Sequence, residues 1–206
     1  MIIKRQSRIS NLYRYFAPIY TPFRPYWTRA LIREAERYVD QIALPAALHP
    51  AAVVLDLGCG PGSNLDRLQR LGLPYAQYVG FDLSSAMLSA SKSPKTDLVD
   101  FTMGNAHRLP FARGSFDVII STWMFSHLHE PGQAVREAWT LLQPGGWLII
   151  ACFTRPPGFL GRLLHLIEPI FLMQCVSPKV VRTWSGLFDV KTFFGGLNVV
   201  AYLQKK

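Results

Sequence analysis

The stretch VVLDLGCGPGSN, residues 53–64, carries a short apolar run straight into glycines at the alternate positions 58, 60 and 62. A run of that length ending in a glycine-rich turn and followed by the helical pattern SNLDRLQRLG predicts a buried strand, a tight loop and a helix. Glycine relieves the steric limits on φ, so the backbone here is free to come close to a ligand. The loop opens a helix amino terminus, which favours anionic ligand groups, and Asp82 closes the next apolar run, YVGFDL, 24 residues beyond Gly58. A carboxylate at that place accepts both hydroxyl hydrogens of a ribose. A nucleoside-containing cofactor is therefore the leading physical reading. The dinucleotide fingerprint spaces its glycines G-x-G-x-x-G, whereas residue 63 is Ser and the pattern is G-x-G-x-G. Asp56, two residues ahead of Gly58, is negative where a pyrophosphate would sit. It suits a cofactor that bears an ammonium group and a sulfonium centre.

Outward from the loop, apolar runs alternate with amphipathic segments: AAVVLDL, SNLDRLQRLG, YVGFDL, SSAMLSASK, DLVDFTM, SFDVIIST, PGQAVREAWTLLQ and GGWLIIACF. This alternation predicts an α/β fold, with parallel strands joined by right-handed crossovers and helices on both faces of the sheet. Ligands in such folds collect at the carboxyl ends of the strands. A helix is expected from about Tyr26 to Ile42, and LFDVKTFFGGLNVVAYLQKK reads as a closing β-hairpin through Gly195-Gly196.

The motifs resemble those of the class I S-adenosylmethionine-dependent methyltransferases. VLDLGCGPG looks like their first motif and GFDLSSAML like their second. GNAHRLPF, FDVIISTWMFSHLHEP and LLQPGGWLII are similar, in that order, to elements of the subgroup that includes ubiquinone and menaquinone methyltransferases. The resemblance implies a Rossmann-like, doubly wound, mostly parallel seven-stranded sheet with a C-terminal antiparallel hairpin, in one domain spanning 1–206. Within it, 1–50 would be an N-terminal helical arm, 51–153 the cofactor-binding core, 154–187 an apolar helical lid and 188–206 the hairpin. The implied cofactor is S-adenosyl-L-methionine. Asp56 and the backbone of Gly58, Cys59 and Gly60 would hold its methionine end, Asp82 the ribose diol, and Leu83 and Met87 the adenine face. Asn105 stands where the family usually has Asp accepting from the adenine amine, and Ala106 would offer its N–H to the ring. Ser121, Thr122 and Trp123 would face the sulfonium and the substrate, and Tyr20 matches an aromatic that closes over the cofactor in related enzymes. His127 aligns with the second histidine of the subgroup's H-H-x-x-D-P loop, where Ser126 replaces the first, and is the candidate base or substrate contact. No metal is implied.

The flanks bear on the methyl acceptor. Residues 1–50 hold eight Lys/Arg against three acids, residues 51–150 seven against eight, and residues 151–206 seven against two. A near-neutral centre between basic ends suits an anionic partner, a membrane surface or a nucleic acid. The stretch 158–176 is apolar with scattered Arg162, His165 and Glu168, the composition of a lid over a greasy pocket or of a helix on a membrane surface. These features favour a hydrophobic, quinol- or lipid-like acceptor. The alternatives are an RNA methyltransferase, which the charge favours but the sequence STWM after the fourth strand does not, and a binding protein without turnover. Cys59, Cys152 and Cys175 are too dispersed for a disulfide framework or a zinc site, so a reduced, cytoplasmic setting is expected. No run of about 18 apolar residues appears, and attachment to a membrane would be peripheral.

Overall fold

The computed structural model describes residues 26, 28–91, 96–168, 173–183 and 189–206. Seven strands form one sheet: β1 Val53–Leu57, β2 Gln77–Asp82, β3 Val99–Met103, β4 Phe116–Thr122, β5 Leu142–Phe153, β6 Asp189–Phe193 and β7 Asn198–Gln204. Their order across the sheet is β3-β2-β1-β4-β5-β7-β6. The first five run parallel, and β7 lies antiparallel to both β5 and β6. The chain thus winds outward from β1 to one edge, returns to β4 beside β1, and finishes on the other edge. The order reverses between β1 and β4, which opens a crevice at the carboxyl ends of those two strands. The expected hairpin is present: the turn Phe194–Gly196 joins β6 to β7, with Gly195 and Gly196 both at positive φ.

Helices cover both faces. A helical run built from Thr28–Ile32, Arg33–Tyr38, Val39–Ala43 and Leu44–Ala47, together α1, alternates π and α winding and extends past Ile42 before Leu48 turns extended. It packs with α2, Ser63–Leu71, on the face formed by Val54, Tyr78, Val118, Ile120 and Ile149. On the opposite face α4, Pro131–Leu141, and α6, Pro178–Thr183, cover Leu55, Leu57, Ile119, Leu148 and Ile150. Two further short helices, α3 Ser85–Ser89 and α5 Phe159–Ile167, follow β2 and β5.

Because both faces are covered, each central strand must be apolar at successive positions, and VVLDL, FDVIIST and LIIACF are. Two acids interrupt these runs: Asp117, near the start of β4, is half-buried, but deeper in lies Asp56. It shares the α1/α2 face with Val54 and is fully buried. An ionic side chain inside an otherwise dry layer needs partners for both oxygens, and those partners organise the site.

Candidate active site

The glycine loop hangs from the end of β2. Gly58 and Cys59 both donate their N–H to the Phe81 carbonyl, at 2.7 and 3.3 Å. Gly60 donates to Asp82 Oδ2 at 2.9 Å, and Ser84 donates to Asp82 Oδ1 at 2.8 Å. Gly58 has φ of 71°, and a Cβ there would collide with the Met124 side chain. Gly60, at φ of 54°, has nothing nearer its Cβ position than Met87 Cε at 3.7 Å. The loop is therefore pressed from the β4 side at Gly58 and stands open at Gly60, a surface that a bound molecule can approach at backbone distance.

Asp82 is pinned but not saturated. Burial raises its carboxyl pKa, against the backbone N–H groups of Ser84, Gly60 and Leu83 that lower it. A carboxylate has about four acceptor positions, so room remains for a vicinal diol. Met87 is buried beside the loop and Leu83 is half-buried. Gly104 donates to the Asp82 carbonyl at 2.8 Å, which brings the Asn105-Ala106 turn to the same strand end. There Asn105 Oδ1 accepts the His107 N–H at 3.0 Å. The Cys59 thiol lies in the loop interior, and burial, then Asp56 and Asp82, push its pKa well up. It is a filler of the loop and not a thiolate.

Beneath the loop runs a buried chain of polar contacts. Asp56 accepts from Asn64 Nδ2 at 2.9 Å and from the Tyr78 hydroxyl at 2.5 Å. Asn64 Oδ1 in turn accepts from Arg67 Nη1 at 2.8 Å and from the Thr122 hydroxyl at 3.2 Å. The buried guanidinium of Arg67 also pairs with Glu36, and with Asp40 at 2.7 Å through Nε. Glu36 Oε1 accepts the indole N–H of Trp123 at 2.6 Å. The contacts link α1, α2, β1, β2 and the end of β4. Burial pushes the Asp56 carboxyl up to about 6, with the bonds from Tyr78 and Asn64 opposing.

At the end of β4 the three expected residues take different roles in the packing. Ser121 is buried and donates to the Leu57 carbonyl at 2.8 Å, tying β4 to β1. Thr122 reaches Asn64, and Trp123 takes φ of 70°, a region costly for an aromatic residue. Three contacts hold it there: its N–H on the Ala151 carbonyl at 2.6 Å, its indole on Glu36, and its ring against Phe153 at 5.1 Å. His127 lies just beyond, half-buried, on the short turn Phe125–His127. His129 contacts Gln174 at 3.4 Å. His107 faces His129 and Glu130, and burial lowers its pKa. Tyr20, Pro18, Pro22 and Arg24 lie outside the described residues.

The sequence reading missed Asn64, Arg67, Tyr78, Glu36 and Met124. A signal existed for two of them: Asn64 and Arg67 are three apart on α2, flanking Leu65 and Leu68 on the same inward arc.

A family model for a methyltransferase domain of type 11 matches residues 55–150, the segment that holds the glycine loop, Asp82, Asn105 and the β4 end. Residues 55–150 thus carry a methyltransferase domain. The chain is 35% identical over 107 residues to a demethylmenaquinone methyltransferase of Renibacterium salmoninarum, covering 52% of this chain and 44% of that protein. It is 26% identical over 161 residues to a ubiquinone/menaquinone biosynthesis C-methyltransferase of Hahella chejuensis, covering 75% and 63%. The fold matches an S-adenosylmethionine-dependent methyltransferase of Mesorhizobium loti with a TM-score of 0.62 at 15% identity, over 79% of this chain and 95% of that one. The chain spans from about a third to under two thirds of the curated relatives' length.

The cofactor that such a domain implies is S-adenosylmethionine. The cradle fits it: Gly60 leaves the space above the loop open, Asp82 keeps free acceptor positions, and the apolar Leu83 and Met87 stand beside them. Among the described residues no group of His, Cys, Asp and Glu is arranged to hold a metal ion. No described helix is long and apolar enough to cross a membrane.

Proposed function

We propose that the protein transfers a methyl group from S-adenosylmethionine to a hydrophobic small molecule of quinol or lipid type. The observation that carries the donor half is the Gly58–Gly60 loop braced by Asp82 at the switch between β1 and β4. The acceptor half is supported by the quinone-biosynthesis names of the relatives and by the apolar segment that follows β5.

In this reading Asp56 and the Gly58, Cys59 and Gly60 backbone hold the methionine end, Asp56 supplying negative charge beneath the loop. Asp82 takes the ribose hydroxyls, Leu83 and Met87 the adenine faces, and Asn105 and Ala106 its polar edge. Ser121, its hydroxyl committed to Leu57, shapes the wall, while Thr122 and Trp123 border the acceptor. S-adenosylmethionine supplies a methyl on a sulfonium sulfur, so one S–C bond breaks as the acceptor bond forms, sulfur becomes neutral, and the acceptor sheds one proton. His127 takes that proton, being the imidazole nearest in sequence to the β4 end. The other residues orient donor and acceptor and keep water out.

The test is an assay with labelled methyl donor in whole-cell extract, separated into lipid, RNA and protein. Label in the lipid fraction is expected; label in RNA or protein alone would overturn the acceptor class. Calorimetric titration with S-adenosylmethionine should give heat that Asp82→Ala strongly reduces. His127→Ala should slow turnover about tenfold or more with little change in cofactor affinity. Unchanged turnover would remove His127 from the mechanism.

A further inference from the structure

We propose that the outer face of α5, with Phe194 and the cations beside it, docks the protein onto an anionic lipid bilayer. This rests on the reading that the acceptor is hydrophobic, since a bilayer is where such a molecule dissolves.

The inward side of α5 is fully used. At Gly161 the Pro156 carbonyl oxygen occupies the space that a Cβ would need, and Leu164 packs on the core. Just past the helix Glu168 is buried and bonded bidentately by Arg155. At about 100° per residue, Phe159 and Leu166 fall on the line opposite Gly161 and Glu168, with Leu163 beside them. An ordinary surface helix puts charge on that line. Here Phe159 is 81% exposed, Leu166 72% and Leu163 48%.

The patch continues past the helix. Gly196 lies against Pro156 and Pro178, with its Cβ position 3.6 and 3.7 Å from them, so the β6–β7 turn, the lead into α5 and the start of α6 meet. Phe194 on that turn is 52% exposed, and Val180 on α6 is also exposed. All of this lies at the carboxyl end of β5, the same end of the sheet as the glycine loop.

Charge selects the occupant. Residues 151–206 contain only two acids, Glu168 and Asp189. Glu168 is buried against Arg155, and Asp189 is engaged by Lys191 at 3.6 Å and the Tyr202 hydroxyl at 3.1 Å. Arg162 on α5 stands beside the apolar line, and Lys179 and Arg182 on α6 are also exposed, Arg182 with a bond to the Val190 carbonyl at 3.4 Å. Apolar side chains with cations beside them match the interface of an anionic bilayer, where the basic residues meet the headgroups and the apolar ones enter the acyl boundary. A second copy carries the same excess of positive charge. RNA would use the cations but has no use for protruding leucines.

Flotation of the full chain with vesicles tests this without any methyl transfer. The protein should float with vesicles of equal parts phosphatidylcholine and phosphatidylglycerol, and much less with phosphatidylcholine alone. Phe159→Ser with Leu166→Ser should cut the bound fraction about tenfold or more. Arg162→Glu with Lys179→Glu should do likewise, and added salt should weaken binding without abolishing it. Cofactor heat should be the same in every variant, so a failed acceptor assignment would leave this result standing. Flotation that ignores both double variants would overturn the proposal. So would an oligomer dispersed by the serine pair with no vesicle binding, or retention on RNA in its place.

Discussion

The carboxyl rim of the sheet divides between β4 and β5, and the two sides solve opposite problems. On the β1–β4 side charged and polar groups are taken out of water and paired with one another: Asp56, Asn64, Arg67, Glu36 and the indole of Trp123. On the β5–β7 side apolar groups are left in water, Phe159, Leu166 and Phe194 among them. Buried pairing fixes the position of each atom, which suits a cofactor of one shape. Exposed apolar surface fixes nothing by itself and suits a partner that is fluid. The β1–β4 side, the proposed donor side, is thus preorganised at a cost in folding free energy, and the β5–β7 side, the proposed acceptor side, carries its cost as exposed surface.

The sharpest way to break the donor side is Arg67→Met. The side chain is nearly isosteric, but Glu36 would lose the cation that offsets its buried charge, and Asp40 would keep the exposed Arg70. Loss of about 3–5 kcal/mol of stability is expected, read by denaturant unfolding. Glu36 would also lose the partner that fixes it beside the indole of Trp123, so near-ultraviolet circular dichroism of the variant should change. A variant as stable as the parent would show that the chain of contacts carries no energy.

Asp56→Asn comes next, and its effect depends on pH. The carboxyl's ordinary value is 3.8 and its folded value about 6, so the folded chain binds this proton more tightly than the unfolded one. Stability from this group is present below the unfolded value, falls as pH rises through the folded value, and is absent above it. That difference corresponds to about 3 kcal/mol. The amide removes the ionisation, donating to Tyr78 and accepting from Asn64. Cofactor-free Asp56→Asn protein should therefore melt higher than the parent at about pH 8 and close to it at about pH 4. Its affinity for S-adenosylmethionine should fall, since the negative charge beneath the loop is gone. Equal pH profiles would show that the buried carboxyl is not the source of the slope.

Smaller again is Asp82→Ala, which acts on the upper surface of the loop. It removes the acceptor that holds Gly60 and the partner proposed for the ribose, so affinity for S-adenosylmethionine should drop at least about tenfold. Asp82 keeps part of its surface in water, so stability should change less than in Arg67→Met. The split between the two variants separates holding the loop from holding the ligand.

What was readable from the sequence follows the same division. The glycine loop, Asp82 and the strand alternation are local patterns, and the structure assembles them in the expected order. The hairpin was marked by two adjacent glycines. The Glu36–Trp123 bond spans 87 positions, and no local pattern encodes it. By its charge alone, Arg67 in the pattern SNLDRLQRLG is no different from a solvent-facing residue. It is buried because α1 covers α2, so the inward arc of α2 is wider than Leu65 and Leu68 alone. Helix α1 ran past its expected end because Pro45 falls in the first turn of the segment Leu44–Ala47, where a missing N–H is tolerated. The acceptor remained the least legible part, because exposed apolar and basic residues look alike on a lid, on a membrane face or on plain surface.

The finest test lies at Asn105, on the edge of the donor side. Its Oδ1 already accepts the His107 N–H, which leaves one lone pair for the proposed adenine amine. An aspartate in its place would keep the turn with one oxygen and present the other, charged, to the amine. Hydrogen bonds to a charged acceptor are the stronger kind, so Asn105→Asp should tighten S-adenosylmethionine by about two- to fivefold, under about 1 kcal/mol. S-adenosylhomocysteine, which carries the same adenine, should gain by the same factor. A gain for the sulfonium form alone would mean that the new charge acts at a distance on the cation and that the adenine amine is not received at residue 105. No gain for either would place the amine elsewhere, with Asn105 serving only the turn that it is seen to close.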